Sequence, residues 1–353
     1  MKHIEISERT LHFKQPAGTS RGVYHTRHSY YLTLTDDAKP GIKGIGECAT
    51  LPDLSCDAIP EYDKILREMC RLIEQIGHIP YDMLRPYPSI LFGLETAFAQ
   101  FEANGSTAIF DTPFGRGEEG ITINGLVWMG TFDEMYARLE EKLAKGFHCV
   151  KLKIGAIDFE KELDLVKHIR GAFTKEQIEL RVDANGGFTP ENAMERLEAL
   201  AQYDIHSIEQ PIKQHQWDDM ARLCRESPLP IALDEELIGV NTASMKEALL
   251  DTIKPAYIIL KPSLHGGMFG ASEWIKMAKE RGIGSWITSA LESNVGLNAI
   301  AHFCAKTYGA NIVMPQGLGT GQLFTDNIDM PLEIRGDQLW YCPSREGDSA
   351  ERQ

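Results

Sequence analysis

Six residues spread along the chain, Lys151, Lys153, Asp183, Glu209, Asp234 and Lys261, are of the types needed to move a proton beside a carboxylate. Each sits toward the end of a short apolar run: CVKLKIG, IELRVDAN, IHSIEQP, PIALDEE and YIILKPS. If consecutive runs are neighbouring strands of a barrel, the three acids can converge on one point. Carboxylates gathered in a buried site repel one another and resist desolvation, so such a cluster calls for a cation. Hard oxygen ligands that leave room for water and a substrate oxygen suit Mg2+, with Mn2+ as a substitute, better than zinc. Taken singly, each acid would serve as well to cap a helix or pair with an arginine; the shared register of all three favours the metal.

Lys151 and Lys153 are two apart on an expected strand and so point to one face. Solvated surface lysines would explain a lone KxK pair. Beside three acids, and with Lys261 approaching the same mouth from a later strand, the interior reading is preferred. A neighbouring ammonium and a divalent metal lower a lysine pKa toward the neutral amine that a general base requires. A proton beside a carboxylate is only weakly acidic, and chelation of that carboxylate near a metal stabilises the enediolate left behind.

The elements that must position these groups are legible in the pattern of the chain. From about Ile121, short apolar runs alternate with polar turns and amphipathic stretches, the signature of βα units around a parallel sheet. The runs ITINGLVW, SWITSALES and NIVMPQG join the five above, making eight strands, enough to close a barrel whose active site lies at the strand C-termini. Before them, HIEISERTLHF, SYYLTLTDD and IKGIGECATL read as antiparallel strands, and about Glu61 to Ile76 and Ser89 to Asn104 read as helices. We therefore expect an α+β capping domain over 1–118, a (β/α)-barrel over 119–318, and a segment 319–353 that returns to the capping domain.

Acidic residues outnumber Lys plus Arg by 51 to 36, a formal charge of -15, which disfavours a nucleic-acid surface and favours a small-molecule partner. Seven scattered cysteines without a CxxC pair read as free thiols of a reducing cytoplasm. The N-terminus lacks a signal-peptide core and no apolar run has the length of a membrane span, so a cytoplasmic protein is expected. The oligomeric state has no signature in the sequence.

The ordered set KLK at 151–153, VDAN at 182–185, IEQP at 208–211, LDEE at 233–236 and LKP at 260–262 resembles the enolase superfamily, in its muconate-lactonizing subgroup, across essentially the whole chain. Arg181, the stretch SALESNVGLNAIAHFCA from Ser289 and GLGTGQLFTDNI from Gly317 are most similar to its o-succinylbenzoate synthase family. The resemblance implies a modified (β/α)7β barrel with a capping domain. It implies Asp183, Glu209 and Asp234 as Mg2+ ligands, Lys153 as base, Lys151 as the neighbour that holds down its pKa, and Lys261 as a charged group on the other face. Expected substrate contacts are Arg181, Asn185, Ser20, Ser289 and Ser293, with a purely structural role as the alternative for the two serines near the seventh strand end, Ser289 and Ser293. The implied reaction is syn-dehydration of 2-succinyl-6-hydroxy-2,4-cyclohexadiene-1-carboxylate to o-succinylbenzoate in menaquinone biosynthesis.

Racemases, epimerases and muconate cycloisomerases of the same subgroup share these motifs. A non-catalytic barrel is disfavoured, because an unused site would gain stability by losing its buried charge. Gly18-Thr19-Ser20-Arg21-Gly22 matches GxSxG, but an extended segment follows it where a nucleophile elbow needs a helix. The resemblance implies a lid loop here, with a plain surface connection as the alternative. GLGTGQ is followed by no helix start of the phosphate-binding type, and no histidine pair has metal-ligand spacing.

Overall fold

The alternation of the first fifty residues folds into a long hairpin, β1 (Lys2–Thr19) and β2 (Gly22–Asp36), with β3 (Gly44–Cys48) antiparallel to β2. This computed structural model describes residues 1–19, 22–128, 130–155, 158–309, 312 and 314–345. Leu32 and Leu34, two apart on one face of β2, are fully buried under α1 (Tyr62–Ile76) and α3 (Pro88–Glu102), with the short α2 (Tyr81–Leu84) between them. In α1 the buried stripe Tyr62, Leu66, Cys70, Ile73 follows the helical period, and Gly77 closes the helix in the left-handed region at φ 79°.

The helix α3 is buried almost all round. Ile90, Leu91 and Leu94 join the core of the N-terminal sheet, while Phe92 joins the core of the barrel. It approaches β3 so closely that a Cβ on Gly46 would lie 1.8 Å from the Gly93 carbonyl oxygen, which only glycine permits.

The strands β4 (Ile121–Thr122) and β5 (Gly125–Val127) come from the run expected to be one strand, and the structure splits it. Alternating helices and parallel strands follow: α4 (Phe132–Ala144), β6 (Cys149–Lys153), α5 (Phe159–Ala172), β7 (Glu179–Asp183), α6 (Ala193–Ala201), β8 (Ser207–Glu209), α7 (Trp217–Glu226), β9 (Ile231–Leu233), α8 (Ala243–Ile253), β10 (Tyr257–Leu260), α9 (Gly267–Glu280), β11 (Gly284–Ile287) and α10 (Asn294–Tyr308). The sheet runs in sequence order from β5 to β11. Its two edges meet through Gln316 and Gly317: Gln316 bridges Ile123, and Gly317 bridges Thr288, both in parallel. The expected eighth strand is thus a two-residue stave, and the architecture is (β/α)7β.

Beyond the stave, Phe324 bridges Phe13 of β1, and the Lys14 amide donates to the Leu323 carbonyl at 2.8 Å. The hairpin of β12 (Leu332–Arg335) and β13 (Gln338–Tyr341) pairs with β4 and not with the N-terminal sheet. No helix among the described residues is long and apolar enough to cross a membrane.

Candidate active site

Pairing across the barrel strands sets the height of every inward side chain. Lys153, Asp183 and Glu209 stand level on β6, β7 and β8, with Lys151 and Arg181 level one layer below. Glu209 pairs with Ala232, so Asp234, two residues on, points inward one layer higher. Lys261 follows the last residue of β10, on the far side of Asp234 from Lys153.

The ammonium groups and carboxylates interlock. Lys151 Nζ lies 2.7 Å from Asp183 Oδ2 and also contacts Glu209; Lys153 Nζ lies 2.7 Å from the same Asp183 oxygen; Lys261 Nζ contacts Asp234. Lys153 further donates to Asn185 Oδ1 at 2.6 Å, and Asn185 Nδ2 donates to Glu235 Oε1 at 2.8 Å. Burial disfavours the charged form of Lys151, but the charges of Asp183 and Glu209 outweigh it and raise its pKa; Asp234 does the same for Lys261 against the same burial. In return, burial would raise Asp183 and Asp234, yet Lys151 and Lys153 hold Asp183 low and Lys261 holds Asp234 low. Glu209 is pushed well up, by burial first and by Asp183 next, and Glu235 is raised by burial and Asp234. Four carboxyls share three ammoniums, and Glu209 and Glu235 are the two whose pKa burial and the neighbouring acids raise.

The donor chemistry fits a hard divalent cation. Glu209 Oε1 and Asp234 Oδ1 are buried and meet no hydrogen-bond donor among the described residues, an expensive arrangement for carboxylate oxygens unless a cation partners them. Among the described residues no three His, Cys, Asp or Glu side chains converge as a ready-made metal cluster; Lys151 bridges Asp183 and Glu209, and Lys261 pairs with Asp234.

Over this floor opens a cavity of about 620 Å3. Lys151, Lys153, Asn185, Glu235 and Lys261 line it, whereas Asp183 and Asp234 are fully buried. Its apolar wall residues are Phe13, Ala17, Leu51 and Leu54 from the N-terminal part, Trp128 after β5, and Leu291 and Leu323, interleaved with polar groups such as Gln15, Thr320 and Gln322. The left-handed backbone of Asn185, Gln210 and Leu291, at φ 44°, 40° and 62°, falls just past the ends of β7, β8 and β11. Such strain in non-glycine residues concentrates where side chains must be aimed.

Ser289 is brought to the cavity wall, with its Oγ 2.6 Å from Thr320 Oγ1. Two expected substrate contacts are elsewhere. Arg181 lies a layer below the mouth, its guanidinium 4.4 Å over the Trp286 ring and bonded to Glu179 and to the Pro315 carbonyl, so it braces the barrel interior. Ser293 is fully buried at the N-cap of α10, where its Oγ accepts from the Val295 amide and donates to Glu47 Oε2 at 2.6 Å. Ser20 lies outside the described residues. Sequence reasoning did not give a role to Glu235, although it adjoins Asp234 in LDEE, nor to the apolar wall, whose leucines carry no signal that separates a cavity from a core.

A family profile described as "Enolase C-terminal domain-like" matches residues 134–342. The o-succinylbenzoate synthase of Desulfotalea psychrophila is 46% identical over 96% of this chain and 99% of its own length. A crystal structure of MenC from Desulfotalea psychrophila LSv54 superposes with a TM-score of 0.84 at 40% identity, covering 96% of this chain and 99% of that one. A dipeptide epimerase from Enterococcus faecalis V583, complexed with Mg and L-Leu-L-Tyr, has a TM-score of 0.82 at 19% identity, with 96% of each chain covered.

Proposed function

The chain belongs to the enolase C-terminal domain-like family and is an enzyme, and on that premise we propose that it dehydrates 2-succinyl-6-hydroxy-2,4-cyclohexadiene-1-carboxylate to o-succinylbenzoate in menaquinone biosynthesis, with Mg2+ as cofactor. The observation that carries this reading is the placement of Lys153 and Lys261 on opposite sides of one cavity, beside acids from three successive strands. Identity of 46% to an o-succinylbenzoate synthase along nearly the full chain supports the substrate, and the Mg complex of the epimerase supports the metal.

Asp183, Glu209 and Asp234 would hold the cation, which when bound supplies positive charge to the substrate carboxylate as its neighbouring C–H bond breaks. Lys153, as the neutral amine, takes the proton from the carbon bearing the ring carboxylate. The resulting ammonium gives that proton to the hydroxyl leaving from the same face, so the C–O bond breaks, water departs and the ring becomes aromatic. One lysine thereby serves both halves of a syn elimination. Asn185, held by Glu235, accepts a hydrogen bond from Lys153 and fixes the direction of its amine. Lys151 places a second positive charge beside it, and Lys261 keeps its charge and attracts the anionic ring from the opposite side. The apolar wall excludes water from the reacting face.

The test is kcat/KM for the cyclohexadiene substrate against a panel of N-succinyl amino acids and dipeptides with magnesium present. Preference for the cyclohexadiene supports the assignment; far better turnover of an amino-acid derivative contradicts it.

A further inference from the structure

The loop that carries Lys261 is fastened at its far end by the N-terminal part of the chain. Lys261 has its backbone held by that loop alone: its amide donates to His265 Nδ1 at 2.9 Å, and its carbonyl accepts from the amides of Leu264 and His265 at 2.8 and 3.0 Å. The loop then turns through Gly266 and Gly267, at φ 96° and 72°, into α9. The first amides of α9 have no partner within their own helix. Here Phe269 donates to Glu95 Oε1 at 2.9 Å and Met268 to Glu95 Oε2 at 2.5 Å, and Glu95 comes from α3, some 170 residues earlier in the chain. Gly267 has to be glycine twice over, because its backbone is left-handed and an added Cβ would stand 2.3 Å from Glu95 Oε2.

We propose that Glu95 is a positioning residue: by seating its carboxylate on the first turn of α9, it fixes the Lys261 loop and so the placement of the Lys261 ammonium over the cavity. The adjacent βα loop is built the same way. Glu47 of β3 accepts from the Ser293 and Gly296 amides, each at 3.0 Å, at the start of α10, and a Cβ on Gly296 would stand 2.9 Å from Glu47 Oε2. Two buried glutamates from the N-terminal sheet and helix thus hold the two loops that bring Lys261 and Ser289 to the cavity.

The kinetic arm of the test rests on the proposed reaction. Glu95→Ala should lower kcat about 100-fold, the scale of a small misplacement of a reacting group, with little change in KM. In a Lys261→Ala background the same substitution should cost less than about threefold, since a residue acting through Lys261 has nothing left to position. Glu95→Gln keeps one of the two acceptors and turns an NH2 toward the other amide, so it should recover only part of the rate. Equal losses in both backgrounds would overturn the proposal. Hydrogen exchange supplies a readout without turnover: amides of 264–269 should exchange faster in Glu95→Ala and Glu95→Gln, in that order, while those of α1 stay unchanged. Unaltered exchange there would refute the proposal. A wild-type protein that leaves the cyclohexadiene untouched would refute the reaction, and the exchange data would still decide the role of Glu95.

Discussion

His302 offers a quantitative check on how the barrel packs against its C-terminal strands. It sits fully buried on α10, edge-on to Phe114 and Tyr341 with ring centroids at 5.1 and 4.9 Å, and among the described residues neither ring nitrogen has a hydrogen-bond partner. Burial drops its pKa from 6.5 to about 3. The unfolded chain therefore binds a proton that the folded chain refuses, so stability is full above the unfolded pKa and declines as pH falls from 6.5 toward 3. With those two values, the linkage relation gives a loss of about 2 kcal/mol between pH 7.5 and pH 5.0. His302→Leu removes the titrating group at similar volume. Urea unfolding at the two pH values should show the wild type losing about 2 kcal/mol more than the variant over that interval. An identical loss in both proteins would refute the claim that this imidazole is held neutral.

Asp234→Asn should weaken magnesium binding measured by calorimetry and cut turnover by orders of magnitude while the fold survives; unchanged affinity would remove Asp234 from the metal site. Ser293→Ala, which deletes an N-cap and a bond to Glu47 without touching the cavity, should cost about 1 kcal/mol of stability with KM little altered. A large rise in KM would restore Ser293 as a substrate contact.

The barrel was legible because each strand of β6 to β10 ends in, or is followed at once by, a polar residue that breaks an apolar run, and the same residues make up the candidate site. The eighth stave was harder to read, since hydrogen bonds at Gln316 and Gly317 close the ring where the sequence suggested a full strand. The split of ITINGLVW follows from two sheets sharing one run: Ile121 pairs with Leu339 while Gly125 pairs with Val150. Arg181 misleads because a period of two places it on the same inward face as Asp183, and face alone does not tell depth. Ser293 misleads because a strand end and the next helix cap are only a few residues apart. The seat of Glu95 has no local signature, since its partners lie on α9 and nothing near α3 in sequence announces them.

The central claim is that Lys153 alone takes the proton and returns it to the leaving hydroxyl. Its most direct test is kcat/KM of Lys153→Ala for the cyclohexadiene substrate with saturating magnesium. We expect a fall of about 1,000-fold or more, consistent with loss of a general base that also acts as the acid; retention within about tenfold of the wild type would place the proton transfer on another group and contradict the account.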